Sequence, residues 1–278
     1  MAFAWDTLHN RMLIFGGDGT AQPELAETWL FEGNQWRQVT TPPALIARTG
    51  AQMVFDPDND RFILRGGFYN GASAIADCWQ FREGQWSAIQ VPSSMTSGYT
   101  SMMAYDPDHH RVVSFGGQYT NLALDETWQL VGDTWSPVAS TLTPGRRAAG
   151  QLTWHAARHS LVVFGSYLAP GNPNDTWELV DQQWVRISAG GPTQPPARSS
   201  QSTIYDPVRR RLVMFGGGAT LNDTWALGAT DTGWVPVPST LSPLPRYQAG
   251  MVVNPDDGSV FLIGGVNSGL ATNTLLLS

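Results

Sequence analysis

A glycine doublet recurs through this chain at intervals of about 50 residues: Phe15-Gly16-Gly17, Arg65-Gly66-Gly67, Phe115-Gly116-Gly117, Phe164-Gly165-Ser166, Phe215-Gly216-Gly217 and Ile263-Gly264-Gly265. About eleven residues further on comes an acid-x-Trp element, at Glu27-Thr28-Trp29, Asp77-Cys78-Trp79, Glu126-Thr127-Trp128, Asp175-Thr176-Trp177 and Asp223-Thr224-Trp225, which degrades to Asn273-Thr274-Leu275 in the sixth copy. A second tryptophan follows, at Trp36, Trp86, Trp135, Trp184 and Trp234. A repeat of this length, carrying turn residues and large aromatics at fixed offsets, confines the fold to supersecondary units that stack on one another.

Each unit reads as four short strands. In the second they are Ala51 to Phe55, Arg61 to Arg65, Cys78 to Phe81 and Gln85 to Ile89, parted by Asp-Pro, Gly-Gly and Glu-Gly turn signals. A four-stranded sheet of this size cannot bury both faces alone, and the radial solution is a β-propeller. The expected organisation is an all-β, single propeller domain of six repeats, 1–50, 51–100, 101–150, 151–200, 201–250 and 251–278. The first repeat starts partway into its inner strand and the sixth stops before a fourth strand. The last blade is therefore expected to have three strands, or the chain to be part of a longer one.

The glycine doublets and spaced aromatics resemble the kelch motif across essentially the whole length. That resemblance implies a six-bladed propeller whose first strands line a central channel. Kelch-fold copper oxidases need a cysteine crosslinked to tyrosine, a role that Cys78 does not fit inside its Asp-Cys-Trp element. The iron motif of the plant kelch proteins, Glu-x-x-x-Asp-x-x-x-His, does not occur here.

Composition narrows the chemistry. The chain holds 23 acids against 16 bases, a net charge of -7, and every base is an arginine. Schiff-base and lysine general-base chemistry are excluded, and no basic stripe suggests nucleic acid. Cys78 stands alone, so no internal disulfide or thiolate cluster can form. No leader or membrane-spanning run is visible, which favours the cytoplasm and no membrane partner. No metal and no cofactor are expected. Asp56, Asp58 and Asp60 imitate the start of a calcium loop, but Arg61 and Gly67 stand where that loop needs glycine and glutamate. His9, His109, His110, His155 and His159 lie in hairpin turns without metal-ligand spacing. The ten repeat tryptophans read as core, and the acids before them as turn anchors accepting backbone N–H groups.

The informative column opens each inner strand: Arg48, Gly98, Arg147, Arg198 and Arg246. Arginines there should stand around one mouth of the channel, where planar guanidinium groups bind carboxylates through paired hydrogen bonds. Arg65, Tyr69, Tyr99, Tyr119, Tyr167 and Tyr247 should reach the same face. The leading reading is a binding module for an anionic, carboxylate-bearing peptide or small molecule, and kelch propellers that hold acidic segments imply the same. One alternative is a metal-free isomerase, lyase or cyclase at that mouth, with Arg65 or the ring stabilising negative charge; another is an interaction segment of a larger protein. Against all of these stands the plainer possibility that each arginine braces a neighbouring blade by bonding loop carbonyls.

Overall fold

Each repeat folds as an antiparallel meander. The computed structural model describes residues 1–18, 24–70, 73–96, 98–167, 174–218, 220–238, 243–267 and 274–277. Repeat one forms strands Ala2–Asp6, Arg11–Phe15, Thr28–Glu32 and Gln35–Val39, hydrogen-bonded in that order. Repeat two supplies Gln52–Asp56, Arg61–Arg65, Cys78–Arg82 and Gln85–Ile89, and repeat three Met102–Asp106, Arg111–Phe115, Thr127–Val131 and Thr134–Pro137. Repeat four supplies Gln151–His155, Ser160–Phe164, Thr176–Val180 and Gln183–Ser188, and repeat five Ser202–Asp206, Arg211–Phe215, Thr224–Gly228 and Val235–Pro236. Repeat six contributes the three-stranded sheet Gly250–Val253, Val260–Ile263 and Thr274–Leu276. The chain is therefore all-β and of β-propeller type, with five four-stranded blades, and no helix occurs among the described residues. It divides into two compact units, Met1–Val138 and Ala139–Ser278, each holding three repeats.

The turns follow from their residues. The aspartate ending a first strand accepts amides from the hairpin behind it, as Asp6 does from Leu8 and His9, and Asp206 from Val208 and Arg209. The same carboxylate meets the arginine that opens the next strand, in Asp6–Arg11, Asp56–Arg61 and Asp106–Arg111. The glycine doublet is demanded by close approach as well as by φ. Gly66 sits at φ +66°, and a Cβ there would lie 2.3 Å from the Gly98 carbonyl oxygen.

Neighbouring repeats within a unit bury one another. Leu13, Phe15 and Leu30 of repeat one pack with Phe55, Phe62, Leu64, Phe81 and Trp86 of repeat two. The Trp86 ring meets Phe15 edge-on at 5.7 Å while its Nε1 donates to Thr28 Oγ1 at 3.0 Å. Trp234 repeats this on Phe164 at 5.7 Å and Thr176 at 3.1 Å. The outer-strand tryptophans are thus core, with Trp36 the exception. The degraded element at Asn273 lies outside the described residues.

Candidate functional site

Alternation along a strand puts residues two apart on the same side, and the acid-x-Trp element uses this. In all five copies the indole Nε1 donates to the carboxylate two residues earlier: Trp29 to Glu27, Trp79 to Asp77, Trp128 to Glu126, Trp177 to Asp175 and Trp225 to Asp223, at 2.6 to 2.9 Å. These acids were expected to anchor turns through backbone N–H groups. Glu126 does so, accepting from the Thr96 amide at 3.1 Å, and the Asp223 carboxylate accepts from its own backbone N–H.

Three of these acids, Asp77, Asp175 and Asp223, also accept from the arginine column. Arg198 donates through Nη1 and Nη2 to Asp223 at 2.7 Å each, through Nη1 to Gly216 O at 2.8 Å and through Nε to Pro196 O at 3.0 Å. Arg48 makes the corresponding contacts with Asp77, Gly66 O and Ile46 O. Arg147 reaches Asp175 at 2.6 Å and Pro144 O at 3.0 Å. Arg246 donates to Leu244 O and Gly264 O. None of the four is more than 4% exposed. Burial alone would raise the Asp223 carboxyl, but hydrogen bonds from Arg198 and Trp225 outweigh it and hold the pKa below the usual carboxylate range.

The expectation of an open, basic rim is corrected by this geometry: Arg48, Arg147, Arg198 and Arg246 are internal braces. Arg48 and Arg198 each tie the loop before a first strand to the glycine turn and the acid of the repeat that this strand opens. The backbone of the column meets the preceding glycine doublet, since Gly17 N–H donates to Arg48 O at 2.9 Å and Gly217 N–H to Arg246 O at 2.9 Å.

Arg65 is likewise buried, 4% exposed, and does not face an opening. Gly98 stands in the arginine column ahead of the first strand of repeat three, and Arg65 reaches into that place. Its Nη2 donates to Thr96 O at 3.2 Å, the carbonyl two residues before the column, which the column arginine itself takes in Arg48, Arg198 and Arg246. Its guanidinium lies 5.8 Å from the Trp135 ring centroid. Burial lowers its pKa, against the opposing fields of Cys78, Glu126 and Asp77. Cys78 replaces the threonine of the other copies, and burial pushes its thiol up to about 12, so it stays protonated and unreactive.

The tyrosines answer differently. In the first unit Tyr69 and Tyr119 are 43% and 46% exposed, each on a two-stranded hairpin that follows a glycine doublet, Phe68–Tyr69 with Ser73–Ala74 and Gln118–Tyr119 with Leu122–Ala123. Tyr99 sits half-buried at the base of these hairpins, its ring 4.9 Å from Phe68 and its hydroxyl donating to Thr120 O at 3.2 Å. In the second unit Tyr167 is exposed and Tyr247 half-buried. Tyr247 exchanges backbone hydrogen bonds with Val266.

One feature was not singled out from sequence. A shallow groove of about 390 Å³ in the first unit is lined by Ala26, Thr41, Pro42, Pro43, Leu45, Ile46, Ala47 and Tyr69. Leu45 is the buried anchor of this loop, with its N–H donating to Pro42 O at 2.9 Å, while Ile46 is exposed. The signal was present in Thr41-Pro42-Pro43 directly before the arginine column, a stiff segment unsuited to a strand.

Asp6, His9 and Asp60 converge closely enough for a cation. Arg11 already bonds both carboxylates, however, Asp6 at 2.5 Å and Asp60 at 3.3 Å, so the group is an internal ion network. No protein-family model matches the chain, and no curated protein is similar to it.

Proposed function

We propose that this chain is a binding module of six kelch-type blades, the last of three strands, which recognises a peptide segment at the loop end of its first unit. The groove between the Pro42–Ala47 loop and Tyr69 would take apolar side chains, and Tyr69 would supply aromatic contact area at its wall. Tyrosine suits that task because its large amphipathic ring has only two side-chain torsions to immobilise. The observation that carries the reading is the contrast within one loop. Arg48 is fixed at three points while its neighbour Ile46 and the facing Tyr69 stand in solvent. The arginine column therefore serves recognition indirectly, by holding loops rigid.

Direct capture of a carboxylate by Arg48, Arg147 or Arg198 would require each to release an acid it already holds. An acidic peptide remains compatible with the groove, but its charge is not what the geometry selects. Arg65, the residue on which an enzymatic reading leaned, lies beneath Trp135 and has no access to a substrate.

The test is selection of peptides from a random display library on the immobilised protein, followed by titration of one synthetic winner. Tyr69→Ala and Ile46→Ser are each expected to weaken its binding about tenfold, with the melting temperature held within a few degrees. Binders indifferent to both substitutions, or lost only in Arg147→Ala with Arg198→Ala, would overturn the reading.

A further inference from the structure

The apolar groove of the first unit continues into a second hollow of about 320 Å³. Ala26 and Thr41 line both, and Glu27, Gln38, Val39 and Thr40 complete the second. Hydrogen bonds fix the shared wall, since Trp86 Nε1 donates to Thr28 Oγ1 at 3.0 Å and Thr28 Oγ1 lies 2.7 Å from Thr41 Oγ1. Among the described residues lining the two, Glu27 alone is charged. It is exposed, whereas the equivalent acids Asp77, Glu126, Asp175 and Asp223 are half-buried. Its Oε2 accepts from Trp29 Nε1 at 2.8 Å, and among the described residues its Oε1 has no hydrogen bond.

Repeat four shows what an acid-x-Trp element of this kind accepts. There Arg186 pairs with Trp177 across the strands and its guanidinium lies 5.8 Å from the ring centroid, while the indole donates to Asp175 at 2.6 Å. At the same register in repeat one Gln38 pairs with Trp29, so that position is uncharged and its exposed side chain lines the hollow. The wider field favours a cation as well. The unit Met1–Val138 carries 15 acidic side chains against 7 arginines, a net charge of −8, and four of those arginines, Arg48, Arg61, Arg65 and Arg111, are at most 4% exposed. A surface potential of that sign raises the local concentration of positively charged ligands.

We propose that the peptide taken by the first unit is cationic: it carries an arginine that pairs with Glu27 beside the Trp29 ring, next to apolar side chains held between the Pro42–Ala47 loop and Tyr69. This rests on the groove being a peptide site and adds the charge of the partner. The walls of the apolar groove are uncharged, so charge is read one step along, at Glu27. A guanidinium suits that place better than an ammonium, because its flat face stacks on an indole while its edge donates to a carboxylate.

The same peptide selection on the whole chain tests this. Selected peptides are expected to carry an arginine within a few positions of an apolar residue. One of them is then titrated beside its citrulline analogue, which keeps the shape of arginine and removes the charge. Citrulline in the peptide, and Glu27→Gln in the protein, which keeps an oxygen for the Trp29 indole, are each expected to weaken binding about fivefold, and together scarcely more than either alone. Gln38→Arg, which copies repeat four, should weaken the arginine peptide and leave the citrulline analogue unchanged. Melting temperatures close to wild type show that both variants are folded, as both positions are exposed. Selected peptides without a cation, or losses that simply add, overturn this inference and leave the groove standing if Tyr69→Ala and Ile46→Ser still weaken binding. No binders, or binders indifferent to Tyr69→Ala and Ile46→Ser, overturn the groove and this inference with it.

Discussion

At Arg198 one guanidinium meets two carboxylate oxygens and two carbonyls at 2.7 to 3.0 Å. That is the geometry by which an arginine captures a carboxylate ligand, and here the ligand is Asp223, 25 positions downstream in the same chain. Residue types alone could not separate the two uses, because both require a planar donor opposite an acid. What decided between them was the acid column 25 to 29 positions downstream, which approaches the arginines only once the strands have paired.

His155 makes a different residue-scale case. It replaces the turn aspartate in repeat four, is fully buried, and its Nε2 lies 2.9 Å from Leu227 O. Burial lowers its pKa below the usual histidine value, and the charge of Arg158 pushes the same way despite the opposing bond to Leu227. The folded state therefore holds the neutral ring, and the unfolded chain binds the proton first. This contribution to stability is complete above the unfolded pKa and is lost as pH falls below about 6.5. Denaturant unfolding at about pH 7.5 and pH 5.5 should show a smaller acid-induced loss in His155→Asn than in the wild type. An equal loss in both would remove His155 as a cause.

At the scale of the element, the inter-repeat joint explains why one copy departs from the pattern. Repeat two offers Trp135 an arginine and a thiol, where repeats one and four offer a phenylalanine and a hydroxyl. Trp135 Nε1 accordingly faces the Cys78 sulfur, a weak acceptor, in place of a hydroxyl. Replacing a buried charge by an apolar group of similar volume is often neutral or stabilising, and a hydroxyl would satisfy the indole. The double substitution Arg65→Phe with Cys78→Thr should keep or raise the melting temperature, whereas Arg65→Ala should lower it by leaving a cavity under Trp135. A large drop in the double variant would show that Arg65 does more at Thr96 and Ser114 than fill space. Strand positions were the legible part of each element: those of repeat two fall within one residue of expectation, because alternation and turn chemistry are local. The groove was not legible, since its wall joins residues from two repeats, Ala26 and Tyr69, around a loop with no periodic signature.

Across the molecule, the all-β character and the four-stranded meander were readable because the sequence writes one unit repeatedly, and each copy checks the others. The function was less readable for the same reason. A column present in nearly every repeat is selected by whatever every repeat needs, and each repeat needs its approach loop fixed to its glycine turn. Exposure is the better guide to recognition, and Tyr69 and Ile46 are where the first unit has surface to offer.

The claim on which this rests is that the arginine column holds the blades together, and a double-mutant cycle on Arg198 and Asp223, read by equilibrium unfolding in urea, measures it directly. Arg198→Ala and Asp223→Ala should each cost about 2 to 4 kcal/mol, and the double variant should cost less than their sum by about 1 to 3 kcal/mol. Single variants as stable as the wild type, or losses that simply add, would mean that the guanidinium is not a brace.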